Sequence, residues 1–351
     1  MSPNCFPWLL LLQLLLHSTM IAAAKVPAII IFGDSSVDAG NNNFIPTVAR
    51  SNFEPYGRDF NGGQATGRFC NGRLATDFIS EAFGLPSTVP AFLDPKYSIK
   101  DFASGVCFAS AGSGYDNATA DVFSVIPLWR ELENFKEYQK QLKDYQGEAK
   151  AQETISEALY IMSLGTNDFL ENYYTVPRGR RTQYTVDEYQ DFLVGIAEGF
   201  IRDLYKLGAR KLDLTGIPPM GCLPLERATN PASRDACNEM YNRVAWNFNS
   251  KLKRLISKLN RELSGMTIIY GDIYYLFLDV IKKPLTFGFE DANSGCCATG
   301  IFEMGYLCNR RSLFTCQDAN KYVFWDAFHP TERMNLVIAA EIMKTTLQVF
   351  K

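Results

Sequence analysis

Histidine is almost missing from this chain of 351 residues, which holds only His17 and His329. That scarcity excludes a histidine-rich metal centre, and any imidazole chemistry must rest on one of the two. Runs of like charge are missing too. A net charge of -3 at pH 7, with no basic stripe, leaves no footprint for nucleic acid. No apolar run reaches the roughly 20 residues that a stable membrane anchor needs. The longest, Trp8 to Leu16, is followed by Ala22, Ala23 and Ala24, as in a secretory leader cleaved near Ala24, although no Lys or Arg precedes it. Residues 1–24 are therefore read as a removed signal peptide and 25–351 as one secreted domain. His17 leaves with the leader.

Paired C-x-x-C spacing is also absent. Beyond Cys5, in the leader, come Cys70, Cys107, Cys222, Cys237, Cys296, Cys297, Cys308 and Cys316, an even set. In an oxidising compartment such a set is expected to pair completely, with a connectivity the sequence does not reveal. Zinc is disfavoured at Cys296 to Cys316, because no histidine lies nearby. Secretion also gives meaning to Asn117-Ala118-Thr119, an acceptor triplet for an N-linked glycan, expected in an exposed loop.

What the chain does have is short β-branched runs alternating with helical periodicity, the pattern of βαβ units and a mostly parallel sheet with helices on both faces. The candidate strands are Ala28 to Phe32, Gly105 to Ala109, Ala158 to Leu164, Lys211 to Gly216, Met266 to Gly271 and Tyr322 to Trp325. Helical spacing covers Leu74 to Phe83, Leu128 to Tyr145, Val186 to Leu207, Asn238 to Leu263 and Glu332 to Phe350. The stretches Asn61 to Gly72 and Asp291 to Asn320 read as long loops, the second stapled by cysteines. No repeat or interdomain linker is visible.

Small, chemically capable residues follow strand after strand. The first runs into Gly33-Asp34-Ser35, the second into Ser110-Ala111-Gly112-Ser113-Gly114, the third into Gly165-Thr166-Asn167-Asp168 and the last into Asp326-Ala327-Phe328-His329. In an open α/β sheet these ends line one crevice, where ligands bind. Pro330 suits a first helical position, which would seat His329 at a cap whose dipole keeps the ring neutral, with Asp326 able to stabilise the charged form. A plain cap or an Asp/His metal pair fits the same residues. Ser35 likewise fits a nucleophile or an ordinary cap, and there is no G-x-S-x-G elbow. Asn167 and the glycines after the second strand suit oxyanion donors as well as turns. It is their joint occurrence that favours acyl transfer.

The blocks "FGDSSVDAGNNN", "GVCFASAGSGYDNAT", "GTND" and "FWDAFHPTE" resemble, in the same order, those of the plant GDSL esterase/lipase family of the SGNH hydrolase superfamily. "PYGRDFNGGQATGRFCNGRLATDFI", "GARKLDLTGIPPMGCLP" and "CCATGIFEMGYLCN" are similar to further family patterns. Two departures are Ser36, where the family's namesake leucine stands, and Ala65-Thr66-Gly67, where Pro-Thr-Gly is common.

The resemblance implies an α/β fold of the three-layer α/β/α, flavodoxin-like kind. It also implies a carboxylic ester hydrolase with Ser35 as nucleophile, His329 as base and Asp326 as its orienting partner. Ser35, Gly112 and Asn167 would form the oxyanion hole, Gly112 being chosen over Gly105 and Gly114. No metal or cofactor is implied, and the partner would be a small-molecule or lipid ester. Catalytically inactive binding proteins on this fold are the alternative; they are recognised by loss of the serine, asparagine or histidine, all of which are present here.

Overall fold

Strand β1, Ile29–Gly33, lies inside a five-stranded parallel sheet and is buried along its whole length. Its unbroken run of apolar side chains follows from burial on both faces. Around it come β2, Gly105–Cys107, β3, Leu159–Ser163, β4, Lys211–Thr215, and β5, Thr267–Gly271, in the order β2-β1-β3-β4-β5. This is the flavodoxin-like order, with its switch point between β1 and β3. The chain is described here from a computed structural model covering residues 26–230 and 236–350. The leader read over residues 1–24 lies outside the described residues.

Gly33, Ser163, Thr215 and Gly271 are in register across four strands, so the connections that leave them start from one edge. The connections between the parallel strands divide the helices between the two faces. Ala75–Ala82 packs on Glu332–Phe350 on one face, while on the other Leu128–Gln146 packs on Glu148–Glu157 and Val186–Lys206 on Glu239–Glu262. The architecture is a three-layer α/β/α fold.

Two sequence expectations need correction. Tyr322–Phe324 (β7) is a strand, but it pairs in parallel with Asp291–Gly295 (β6) in a separate two-stranded sheet. Asp291–Gly295 had read as loop because Asp-Ala-Asn-Ser-Gly has no strand propensity; tertiary pairing overrides it. Beyond β6 the chain is stapled by Cys296–Cys316 and Cys297–Cys308, and a third bridge joins Cys222 to Cys237.

Complete pairing of the cysteines is the second correction. Cys70 and Cys107 are free and buried. The Cys107 thiol donates to Val37 O at 3.2 Å, while Cys70 Sγ accepts from Gly72 N and Asn335 Nδ2, each at 3.4 Å. Burial pushes both thiols far above their ordinary range, so they behave as small, inert core side chains, which parity counting cannot foresee.

Candidate active site

Ser35 stands just beyond β1 on a turn that requires glycine at position 33. Gly33 has φ +146°, and a Cβ there would lie 2.0 Å from Ser163 O. The turn is held from below: Gly33 N donates to the buried Glu131 carboxyl at 2.9 Å and Asp34 N to Ser163 O at 3.1 Å. Asp34, for which the sequence suggested only turn formation, accepts from Ser36 N at 2.9 Å and from Ser36 Oγ at 2.7 Å. Burial pushes the Asp34 carboxyl up to about 6, against the pull of those bonds, and drives Glu131 well above the usual carboxylate range. Burial has that effect on Glu131 because, among the described residues, no Lys or Arg pairs with it.

His329 comes from the small sheet. The Asp326 carboxylate folds back over its own turn, and Oδ1 accepts from Phe328 N at 2.9 Å and His329 N at 2.7 Å. The three-residue spacing is thus a closed turn that carries the carboxylate to the ring. His329 Nδ1 lies 2.9 Å from both Asp326 oxygens, and Nε2 lies 2.8 Å from Ser35 Oγ. The expected cap position is not found. The helix begins at Glu332, Thr331 Oγ1 accepts from Met334 N at 3.2 Å, and Pro330 pairs with Phe324 in an antiparallel bridge. Outside the helix, His329 gains little from its dipole, and Asp326 is the group that orients it.

Gly112 and Asn167 reach the same place from either side of β1. Both line a chamber with Ser35 and His329. Gly112 has φ +86°, a left-handed conformation, and among the described residues neither its N–H nor that of Ser35 donates to a protein acceptor. Asn167 Nδ2 gives one hydrogen to Ser113 O at 2.9 Å, which fixes the amide and leaves its second hydrogen available. The other glycines of this block are occupied elsewhere: Gly105 lies within β2, and Gly114 packs against the Asp168 carboxyl group.

Asn117 is exposed but opens the helix Asn117–Phe123 rather than sitting in a loop. Thr119 of the same triplet is fully buried and donates to Asp168 Oδ1 at 2.6 Å. The triplet therefore also has a structural use. The Asp168 carboxyl, pushed up to about 7 by burial, further accepts from Tyr115 N and Asp116 N at 2.8 and 3.0 Å, which ties the segment after β2 to the one after β3.

Several supporting residues carried no signal in the sequence. Tyr56, completely buried, donates to Asp326 Oδ2 at 2.7 Å and accepts from Gly305 N at 2.8 Å. The Phe69 ring lies 4.8 Å from the His329 ring. Asp38 accepts from Gly40, Asn41 and Ala111 N–H groups and so fixes the chain just before Gly112. Tyr56 and Phe69 act through contact with a distant segment, and Asp38 joins its own turn to Ala111, so periodicity and spacing do not single them out. Among the described residues no three His, Cys, Asp or Glu side chains gather as a metal site.

Residues 29–342 match the GDSL-like lipase/acylhydrolase family model. The chain belongs to that family. It is 61% identical over 330 residues to the GDSL esterase/lipase At2g42990 of Arabidopsis thaliana, covering 94% of each chain. Two other proteins of that plant are also similar: GDSL esterase/lipase At2g04570, at 58% identity with 97% of each chain covered, and At4g26790, at 56% with 98% of each covered. The chain is a carboxylic ester hydrolase, and esters are its substrates. No helix among the described residues is long and apolar enough to cross a membrane.

Proposed function

We propose that this ester hydrolase works by an acyl-enzyme on Ser35, with His329 as general base and Asp326 as its orienting partner. The observation that carries the reading is the unbroken relay from Ser35 Oγ through the imidazole to the Asp326 carboxylate, at 2.8 and 2.9 Å. Nε2 accepts the serine proton as Oγ attacks the ester carbonyl. The oxyanion then meets three donors: the N–H groups of Ser35 and Gly112 and the second Asn167 amide hydrogen. Collapse expels the alcohol, which takes the proton back from His329. Water, deprotonated by the same ring, attacks the acyl-enzyme and releases the acid and Ser35.

Within this reading Asp326 keeps Nδ1 protonated, so that Nε2 faces the serine with its lone pair, and compensates the charge that arises when Nε2 is protonated. The three disulfides and the short apolar leader support secretion, and the exposed Asn117 is a glycan site. The test is hydrolysis of p-nitrophenyl esters by Ser35→Ala. Loss of essentially all turnover in a folded protein is expected, whereas parental rates would assign the chemistry elsewhere.

A further inference from the structure

Ser35, Phe328 and His329 line both of two neighbouring cavities. One is the chamber of the oxyanion donors, about 250 Å³, with Val48 and Leu307 at its rim, 64% and 63% exposed. The other, about 90 Å³, runs inward between the carboxyl ends of β1, β3 and β4 and the helices Ala75–Ala82, Tyr274–Lys282 and Glu332–Phe350. Its walls are Ile79, Ile161, Ile217, Phe277, Ile338 and Ile342, all buried. Ile338 and Ile342 lie one turn apart on one helix face and both line this cavity.

We propose that the inner cavity holds the acyl chain of the ester and that Ile338 and Ile342 set the chain length accepted. This rests on the acyl-enzyme reading and adds the substrate class: esters of short, unbranched alkanoic acids. Three observations decide the occupant. Several of its polar side chains are already partnered: Asp34 with Ser36 Oγ at 2.7 Å, Ser36 Oγ with Ser163 Oγ at 3.0 Å, Thr215 Oγ1 with Asp213 at 3.2 Å, and Asn335 Nδ2 with Arg73 O at 3.2 Å. A polar arm would find few free partners there, whereas a hydrocarbon arm loses nothing.

Volume sets the shape. At about 90 Å³ the space is smaller than the roughly 150 Å³ that holds a benzene ring in an engineered cavity, so a slim chain of a few methylenes enters and a ring does not. Direction assigns the arm. The acyl group stays bonded to Ser35 after the alcohol has gone, so it suits the enclosed side. The departing alcohol needs the chamber with the exposed rim.

The experiment compares kcat/KM for p-nitrophenyl acetate, butyrate, hexanoate, octanoate and decanoate in the parent, Ile342→Trp and Ile342→Val. For the parent, a rise of roughly tenfold from acetate to butyrate or hexanoate is expected, then a fall by decanoate. Ile342→Trp should lose the rise from acetate to hexanoate, while Ile342→Val should move the optimum to a longer chain. Alkyl acetates with lengthening alcohols should show no matching dependence on position 342.

Calorimetric binding of free alkanoates to Ser35→Ala, which needs no turnover, separates this proposal from the mechanism. Affinity should rise from acetate to hexanoate and lose that rise when Ile342→Trp is added. Chain-length profiles of both variants superimposable on the parent, or a response to the alcohol instead of the acid, would overturn the proposal. Failure of Ser35→Ala to lose activity would overturn the acyl-enzyme reading instead.

Discussion

The two halves of the site are held by different means. Ser35, Gly112 and Asn167 follow strands of the five-stranded sheet, and their positions derive from strand register and short turns. His329 and Asp326 follow β7 of a two-stranded sheet whose other strand, Asp291–Gly295, local propensity supports poorly. Here long-range ties take over. Two disulfides close the chain after β6, Tyr56 joins Asp326 to Gly305, and Arg58 donates to Cys316 O at 2.7 Å and lies over the Trp325 ring. The first half is built by the fold, whereas the second is fastened to it. Closing loops of 20 and 11 residues, the two bridges are worth about 3 kcal/mol each in the chain-entropy picture.

Mutations in the two halves should differ in size. Asp326→Asn is expected to cost about 10⁴-fold in kcat, because the amide favours the wrong tautomer and leaves the charged ring uncompensated. Asn167→Ala should cost roughly 10² to 10³, since two backbone donors remain for the oxyanion. Steady-state kinetics on folded variants check both, and a reversed order would show that the fastened half serves structure alone.

Tyr56→Phe probes the fastening itself. Loss of one hydrogen bond to the Asp326 carboxylate should lower kcat about tenfold with KM nearly unchanged, since Tyr56 touches Asp326 and lines neither cavity. An unchanged kcat would make the staples sufficient without it.

A smaller effect separates the sheet from the chemistry. Asp213 in β4 is buried, and desolvation pushes its carboxyl above the ordinary carboxylate range, up to about 7. A raised carboxyl contributes stability that is fully present below the unfolded value and is lost as pH rises through the folded one. Ionising Asp213 above about pH 7 therefore weakens the fold. Asp213→Asn should raise Tm at about pH 8 relative to the parent, and much less at about pH 5, where the carboxyl is already neutral. Thermal melts at the two pH values measure the difference, with ester hydrolysis little changed.

The same division explains what could be read from the sequence. The main-sheet strands and long helices were legible to within a few residues, because apolar runs and helical periodicity record burial directly. Small and polar residues at strand ends pointed to Ser35, Asn167 and the glycines after the second strand, and the Asp-x-x-His spacing to the remaining pair, whereas Gly112 is singled out only by the family resemblance. Asp291–Gly295 was not legible, since its strand exists only through pairing with β7. Nor were Tyr56, 270 residues from Asp326, and Cys70 and Cys107, unpaired because of where each is buried. The resemblance to known blocks supplied the roles that periodicity cannot.

Covalent labelling by an alkyl phosphonate tests the central claim most directly, because it requires an activated serine and no turnover. Intact mass and peptide mapping of the parent should show a single adduct on Ser35. His329→Ala, with unchanged circular dichroism, should label several orders of magnitude more slowly. An adduct on another residue, or equal labelling of Ser35 in His329→Ala, would contradict activation of Ser35 by the Asp326–His329 pair.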